Sequence, residues 1–235
     1  MSARTSSVSK SVFPLARGEV TIWLSDGAAA GDSETFLRTL LSRFTGIDGA
    51  ELEIARGEQG KPFLVNAPQP LQFSLSHSGD RLVLALARDA SVGVDLEVHD
   101  PQRQVMPLAR RFFSRVEHED LDALAEEARR QRFYDLWTLK EARVKALGGS
   151  LASQLETTGF RIDDSAPGLP GICPHPASPD DFYGLLVAPP GYSLAICVLS
   201  PPRCPPRITL FTGSETDDAR PLPVRLRACS PVDHG

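Results

Sequence analysis

The sequence predicts an α+β protein, and three observations support this class. Residues 71–76 and 92–98 alternate apolar and polar side chains with the period of two that strands show. Residues 101–150 are rich in charged side chains and repeat apolar residues at helical spacing. A chain of 235 residues with 41% hydrophobic residues can also bury a sizeable core without disulfides or a structural metal.

The first elements are a strand and an amphipathic helix. Residues 20–24 are β-branched or apolar and predict a strand. Asp32 or Ser33 can cap a helix that runs to about Phe44, because both residue types accept a hydrogen bond from the first turn. A short strand at 52–55 is then predicted before the next turn.

A three-strand antiparallel meander is predicted next. The turn signal at 60–63 precedes it, and its strands are 71–76, 82–87 and 92–98. The intervening segments contain Gly, Ser and Asp, which favour tight turns.

Two helices and several strands follow. The pattern Ser114-x-x-Glu117 is typical of a capping box and predicts a helix that ends near Arg132. A second helix is predicted over 133–147, with Gly148 as its C-terminal cap. Three later segments favour strands: 159–162, 183–187 and 192–199.

Proline-rich segments are predicted to lack regular structure. The segment 167–179 is expected to be a loop or insertion. The tail, residues 201–235, is expected to be disordered apart from a strand at 207–211.

Composition excludes several classes of protein. The net charge of −5 argues against general nucleic-acid binding, and no apolar run reaches the roughly 20 residues that span a membrane. The N-terminus lacks the apolar core of a secretory signal, and the four cysteines form no C-x-x-C pair. We therefore expect a cytoplasmic protein with reduced thiols.

Two carboxylates on one strand face are candidate metal ligands. Asp95 and Glu97 lie about 6.6–6.8 Å apart along the predicted strand and point to the same side. Mg²⁺ is commonly bound by one or two carboxylates together with substrate phosphates. The alternative is a solvated strand face with salt-bridge partners.

The predicted helix 133–147 adds a third carboxylate and two lysines. Glu141 and Lys145 lie one turn apart, and Lys140 projects near the apolar side. Glu141 can serve a metal and the lysines a phosphate, or the helix is an ordinary amphipathic one with a Glu–Lys pair.

His77 and Glu117 each have two interpretations. His77 follows Ser76 at a tight turn, where it can contact a phosphate or bond to the backbone. Glu117 can close the capping box or accept a proton from a hydroxyl nucleophile.

The order of five short motifs resembles that of the 4′-phosphopantetheinyl transferases of the Sfp type, over about residues 37–199. The motifs are Gly60-Lys61-Pro62, Phe73-Ser74-Leu75-Ser76-His77-Ser78-Gly79, Val92-Gly93-Val94-Asp95-Leu96-Glu97, Arg111-Phe112-Phe113-Ser114-x-x-Glu117 and Trp137-x-x-Lys140-Glu141-x-x-x-Lys145.

The resemblance implies a fold, a reaction and partners. The fold would be two similar α/β halves, 1–100 and 101–200, related by a pseudo-twofold axis with the active site in the cleft between them. The protein would act as a monomer. It would move the phosphopantetheine arm of coenzyme A onto a serine of an acyl or peptidyl carrier protein of fatty-acid, polyketide or nonribosomal peptide synthesis, releasing adenosine 3′,5′-bisphosphate.

The resemblance also implies roles for individual residues. Mg²⁺, with Mn²⁺ as the alternative ion, would be held by Asp95, Glu97 and Glu141. Lys145 and His77 would contact the pyrophosphate. The nucleotide and its 3′-phosphate would be held by Arg38, Lys61 and Ser76, and Lys140 would be a further phosphate contact. Glu117 would be the general base, with water on the metal as the alternative.

The chain departs from the family in one segment. Only 15 positions separate Trp23 from Arg38, and residues 25–35 contain no Lys or Arg, so about a helix's worth of basic sequence is absent. Arg43 and Arg56 are the candidate replacements. The alternative functions are therefore a coenzyme A or carrier binding protein without catalysis, and a Mg²⁺-dependent hydrolase of nucleotide pyrophosphates.

A cluster of arginines could receive the carrier. Carrier proteins of this family are typically acidic, and four arginines could form a local basic patch: Arg103, Arg110, Arg111 and Arg115. The alternative is ordinary solvated surface.

Overall fold

The computed structural model describes residues 12–27, 32–149, 158–165, 167–176, 178–202, 205–213 and 221–230. Predictions for the first 11 residues and for Cys204 lie outside these described residues.

The first sheet has five strands, and its central strand is the first of the chain. In spatial order the strands are β12 (Pro221–Leu222), β11 (Arg207–Thr212), β1 (Glu19–Leu24), β5 (Arg81–Ala87) and β4 (Gln72–Ser78). β1 runs parallel to β11 and antiparallel to β5. The tail therefore completes this sheet beside the N-terminal strand.

The second sheet has six strands and draws on the whole length of the chain. In spatial order the strands are β6 (Ser91–Val98), β10 (Tyr192–Leu199), β9 (Phe182–Leu186), β13 (Leu226–Cys229), β8 (Gly171–His175) and β7 (Gly159–Asp163). A separate hairpin pairs β2 (Ile54–Arg56) with β3 (Pro62–Leu64).

Helix ends are fixed by the residues that the sequence indicates. Helix α1 (Ser33–Thr45) begins after Asp32, whose carboxylate accepts from the Thr35 backbone. Helix α4 (Glu126–Leu147) ends at Gly148, whose φ of 77° is left-handed and favours glycine. Two shorter helices complete the set: α2 (Val105–Phe112) and α3 (Arg115–Asp122).

The sheets and long helices stack in four layers. In β5, Leu84 packs toward α1 while its neighbour Val83 packs toward the second sheet. In β10, Ile196 faces the first sheet and Ala195 faces α4. Strand alternation therefore buries both faces of each sheet, one against a helix and one against the other sheet.

The α+β class is confirmed, because helices and several sheets are both present. Each main sheet carries one long helix on its outer face, as expected of two similar halves. Helix α1 and the strand predicted at 192–199 match the sequence analysis closely. The division of the chain near residue 100 stays a prediction.

Two predictions about neighbouring elements are wrong. The helix predicted from residue 114 to Arg132 ends at Asp122, where the Arg129 side chain donates to the Leu121 and Leu124 carbonyls and closes the helix end. The third strand of the predicted meander, β6, does not pair with β5 but with β10 of the second sheet.

Two proline-rich segments hold more structure than predicted. The segment 167–179 contains β8, which pairs with β7. The tail beyond residue 211 contains β12 and β13, and Arg227 of β13 forms an ion pair with Asp135 of α4. These are short or edge strands, where proline is tolerated.

Within the described parts of the chain, no helix is both long and apolar enough to cross a membrane. The described cysteines, Cys173, Cys197 and Cys229, are free thiols.

Candidate active site

Serine side chains join the two sheets along one seam. Strand β6 lies at the edge of the second sheet, so its outward N–H groups need acceptors. Alternate serines of β4 supply them, with Val94 N donating to Ser74 (3.1 Å), Leu96 N to Ser76 (3.4 Å) and Val98 N to Ser78 (3.0 Å). The seam places polar side chains of both sheets next to one another.

Asp95 lies at the centre of this seam. It faces α4 and is only 4% exposed. Its Oδ1 accepts from the Ser76 hydroxyl at 2.8 Å and from the Lys145 ammonium at 2.7 Å. Its Oδ2 is buried and has no hydrogen-bond partner among the described residues. A buried carboxylate oxygen without a donor is costly, and it marks a place where a ligand can bind.

Helix α4 brings Glu141 and Lys145 to Asp95. The approach is close because β6 has glycine at position 93, where a Cβ atom would lie 1.9 Å from the Ala142 carbonyl oxygen. Lys145 donates to the Ser76 hydroxyl at 2.7 Å as well as to Asp95. Glu141, one turn earlier, is 6% exposed.

Glu97 is the outermost carboxylate of the group. Its Oε2 accepts from the Ser78 hydroxyl at 3.0 Å and lies 3.8 Å from the Arg103 guanidinium. The side chain is 22% exposed, so this carboxylate is the least enclosed of the three.

Burial and mutual repulsion raise the pKa of all three carboxyl groups. Burial raises the pKa of Asp95, although the ammonium of Lys145 opposes the shift. Burial and then the charge of Asp95 raise the pKa of Glu97. The same two causes raise the pKa of Glu141 to about 8. The site therefore carries more negative charge than Lys145 can neutralise.

The shift at Glu141 predicts a pH-dependent stability. The folded protein keeps a proton that the unfolded chain releases above its ordinary pKa of 4.5, so the free energy of unfolding should fall as pH rises from there to about 8. Glu141→Gln should flatten this decline and be more stable than wild type above pH 8, by a few kcal/mol at about 1.4 kcal/mol per pKa unit. Urea unfolding across this range without divalent ions measures it, and parallel profiles for the two proteins would contradict the assignment.

The three carboxylates are neighbours without forming a finished cation cage. Among the residues that the structure describes, no group of three or more His, Cys, Asp or Glu side chains has metal-holding spacing. The ammonium of Lys145 and the hydroxyl of Ser76 occupy one face of Asp95.

A cavity of about 370 Å³ opens beside Lys145. This volume lies within the usual range for small-molecule sites, roughly 300–1,000 Å³. Its apolar wall includes Leu37, Phe73 and Leu75, and its cationic residues are Arg56, Lys61 and Lys145. The cavity thus suits an anionic ligand with a flat or apolar part.

His77 lies on the cavity side of β4. Successive residues of a strand point to opposite faces, so His77 shares the face of Phe73 and Leu75, while Ser76 faces Asp95. His77 is exposed. It is therefore placed to contact a ligand that extends out of the cavity.

Two predicted nucleotide contacts are engaged within the protein. Lys61 lines the cavity, but its ammonium donates to Ser91 Oγ, Val92 O and Ala146 O, and burial lowers its pKa. Arg38 is not among the cavity-lining residues. It pairs with Glu34 at 2.6 Å and donates to two backbone carbonyls.

Lys140 and Glu117 form a buried ion pair away from the cavity. Their closest atoms are 2.9 Å apart and their side chains are 1% and 0% exposed. Glu117 also accepts from the backbone N–H groups of Ser114 (2.7 Å) and Phe160 (3.0 Å). The capping box is confirmed, whereas the phosphate contact for Lys140 and the base role for Glu117 are wrong because no ligand can reach either group.

Two site residues were missed by the sequence analysis as predicted contacts. Ser78 bonds to Glu97, and the signal was the repeat of serine at every second position of β4. Arg56, named only as a replacement, lines the cavity, and its guanidinium donates to the Gly60 carbonyl. The other replacement, Arg43, is buried and lies 4.4 Å from the ring centre of Phe13.

Two family models match adjoining parts of the chain. The model described as the 4′-phosphopantetheinyl transferase superfamily matches residues 91–197. The model described as 4′-phosphopantetheinyl transferase, N-terminal, matches residues 23–89. Together these matches contain all the carboxylates and cations of the site.

Individual relatives match to different extents. The 4′-phosphopantetheinyl transferase Sfp of Bacillus subtilis (strain 168) is 30% identical over 183 residues, which are 77% of this chain and 78% of that relative. The 4′-phosphopantetheinyl transferase AcpT of Escherichia coli (strain K12) is 46% identical over 99 residues, 42% of this chain and 50% of the relative. The chain thus spans about half the length of AcpT.

One solved structure aligns with less than half of the chain. The holo-[acyl-carrier-protein] synthase of Thermotoga maritima covers 47% of this chain and 63% of that chain, with a TM-score of 0.36 and 22% identity.

Proposed function

The chain belongs to the 4′-phosphopantetheinyl transferase superfamily, and on this premise we propose that it transfers the phosphopantetheine arm of coenzyme A to a serine of an apo carrier protein. The observation that carries this proposal is the unpartnered, buried Oδ2 of Asp95 beside a basic cavity. An orphaned carboxylate oxygen and neighbouring cations are what a phosphate ester with a divalent cation requires.

The residues fit Mg²⁺, with Mn²⁺ as the alternative ion. The donor set would be Asp95, Glu97 and Glu141, whose carboxylate oxygens are the hard ligands that Mg²⁺ prefers. The raised pKa of each group supports this fit, because a divalent cation would relieve the repulsion that raises it. A bound Mg²⁺ would neutralise charge on the pyrophosphate of coenzyme A.

Coenzyme A is proposed to bind with its nucleotide in the cavity and its pyrophosphate near Lys145. The apolar wall at Phe73 and Leu75 suits a flat base, and Arg56 supplies a cation for phosphate. Lys145 reaches both the cavity and Asp95, so it can hold a phosphate oxygen next to the metal ligands. His77 is placed to contact the same pyrophosphate from the exposed end of β4.

The chemistry that follows is one displacement at phosphorus. The oxygen of the carrier serine forms a bond to the phosphorus that bears the pantetheine arm, and the bond from that phosphorus to adenosine 3′,5′-bisphosphate breaks. The serine proton leaves to water. Lys145 stabilises the charge that grows on the departing phosphate, and most of the catalysis comes from positioning and charge neutralisation.

The carrier is proposed to approach a monomer from the side of α2. Arg110 and Arg111 are exposed on that helix, and Arg103 lies 3.8 Å from Glu97 at the edge of the site. Arg115 contributes less, because it pairs with Glu119 at 3.1 Å. A positive surface beside the metal ligands would orient an acidic carrier.

A second candidate is a protein that binds coenzyme A or the carrier without transfer. The internal contacts of Arg38 and Lys61 favour it, because two expected phosphate ligands are already engaged.

Intact-mass analysis of an apo carrier incubated with the protein, coenzyme A and Mg²⁺ tests the function. Wild type should add the phosphopantetheine mass, and Asp95→Ala should slow this by on the order of 100-fold or more. Asp164→Ala is the matched control, because the Asp164 side chain is 70% exposed. Carrier association without a mass gain would favour the second candidate. Release of free phosphopantetheine without an acceptor would instead indicate a hydrolase.

A further inference from the structure

Ser78 makes two hydrogen bonds that link the strand backbone to a site carboxylate. It is the last residue of β4, and its hydroxyl accepts from Val98 N at 3.0 Å. The same hydroxyl donates to Glu97 Oε2 at 3.0 Å. A serine hydroxyl has one proton, so donation to Glu97 and acceptance from Val98 fix the direction of both bonds.

The arrangement repeats one found two residues earlier. Ser76 accepts from Leu96 N and donates to Asp95 Oδ1 at 2.8 Å. In each case a serine of β4 holds the carboxylate that precedes, on β6, the N–H group it accepts. The repeat shows that Glu97 is oriented by the same means as Asp95.

Ser78 has more influence on Glu97 than Ser76 has on Asp95. Asp95 is also held by Lys145, whereas Glu97 has only the distant guanidinium of Arg103, at 3.8 Å, as a second contact in the described structure. Both contacts of Glu97 use Oε2, which leaves Oε1 facing away from them.

We propose that Ser78 is a positioning residue that fixes the Glu97 carboxylate and directs its other oxygen toward the divalent cation. This inference rests on the proposed function, because it assigns Glu97 to that cation. Outer partners that orient a metal ligand commonly change metal affinity by 10- to 100-fold when removed. The effect should be on metal binding more than on turnover.

The test compares Ser78→Ala with the conservative variant Ser78→Thr. Calorimetric titration of Mn²⁺ and Mg²⁺ into the protein without coenzyme A measures metal binding directly. Ser78→Ala should weaken binding roughly 10-fold and raise the Mg²⁺ concentration for half-maximal transfer equally, with little change in the rate at saturating Mg²⁺. Ser78→Thr keeps the hydroxyl on a β-branched side chain that suits a strand, so it should restore binding to within about two-fold of wild type.

Glu97→Gln separates failure of this inference from failure of the proposed function. If Glu97→Gln weakens metal binding while Ser78→Ala does not, the positioning role is overturned and the metal assignment stands. If Glu97→Gln also binds both ions as tightly as wild type, the metal assignment itself is overturned. A Ser78→Ala protein that loses only resistance to urea would show that Ser78 serves the sheet seam alone, which also overturns the proposal.

Discussion

Replacing Lys140 with methionine is expected to lower the free energy of unfolding by about 3–5 kcal/mol. The ammonium of Lys140 donates to both oxygens of Glu117 and to the Thr158 carbonyl, and its side chain is 1% exposed. Methionine fills a similar volume but leaves the Glu117 carboxylate buried without its cation. Loss of one member of a buried pair is far more damaging than loss of both.

Chemical denaturation of Lys140→Met and of a matched surface variant measures this effect. Arg115→Met removes a cation from an exposed i,i+4 pair with Glu119, so it should change the free energy of unfolding by no more than about 0.5 kcal/mol. Adding Glu117→Gln to Lys140→Met should recover part of the loss, because the unpaired charge is then gone. Equal effects of the two single variants would contradict the buried-pair account.

The same variants test the role of Glu117. Both of its oxygens are occupied by Lys140 and by backbone N–H groups, so Glu117→Gln should reduce stability and leave the rate per folded molecule nearly unchanged. A lower turnover number at full stability would instead support the base role that the family resemblance implies.

Local sequence patterns predicted the elements whose partners lie nearby in the chain. The cap at Asp32 and the capping box at Ser114 depend on residues three positions away, and both are present as predicted. The alternation of β6 correctly placed Asp95 and Glu97 on one face. Such patterns succeed because their energies come from neighbours along the chain.

Partners distant in sequence were harder to predict. Alternation in β6 showed that one face is apolar but not which sheet would cover it, so its pairing with β10 was missed. The proline content of the tail suggested disorder, yet β11 gains a full ladder beside β1 and a ring contact between Trp23 and Phe211. Composition cannot show that a strand edge is waiting for a partner.

Two site predictions could have been improved from spacing alone. Lys140 and Lys145 lie five positions apart, roughly 140° around a helix, so they could not both face one ligand. Arg38 follows Glu34 by four positions, which favours the ion pair that forms. The chemistry of a lysine or arginine was given more weight than the side of the helix on which it lies.

Gly93→Ala is expected to disrupt both the packing of α4 and the activity. A Cβ atom at position 93 would lie 1.9 Å from the Ala142 carbonyl oxygen and 2.5 Å from the Ala146 nitrogen. Both atoms belong to the helix backbone, so no side-chain rotation can relieve the clash. The helix would have to move away from β6, which should cost about 3 kcal/mol or more.

Movement of the helix would also separate the groups that the proposed reaction needs. Lys145 and Glu141 lie on α4, whereas Asp95 lies on β6 two residues after the glycine. The 2.7 Å contact between Lys145 and Asp95 would lengthen with any shift of α4, so transfer should fall in the folded fraction as well.

Urea unfolding and carrier mass analysis of Gly93→Ala, with Gly171→Ala as the control, separate these effects. Gly171 lies in the same sheet, and a Cβ atom there would meet nothing within 4 Å. Wild-type stability and transfer in Gly93→Ala would show that α4 does not approach β6 this closely. The absence of a side chain at position 93 is therefore as important to the site as the carboxylates, because it sets the distance at which two elements present their charges.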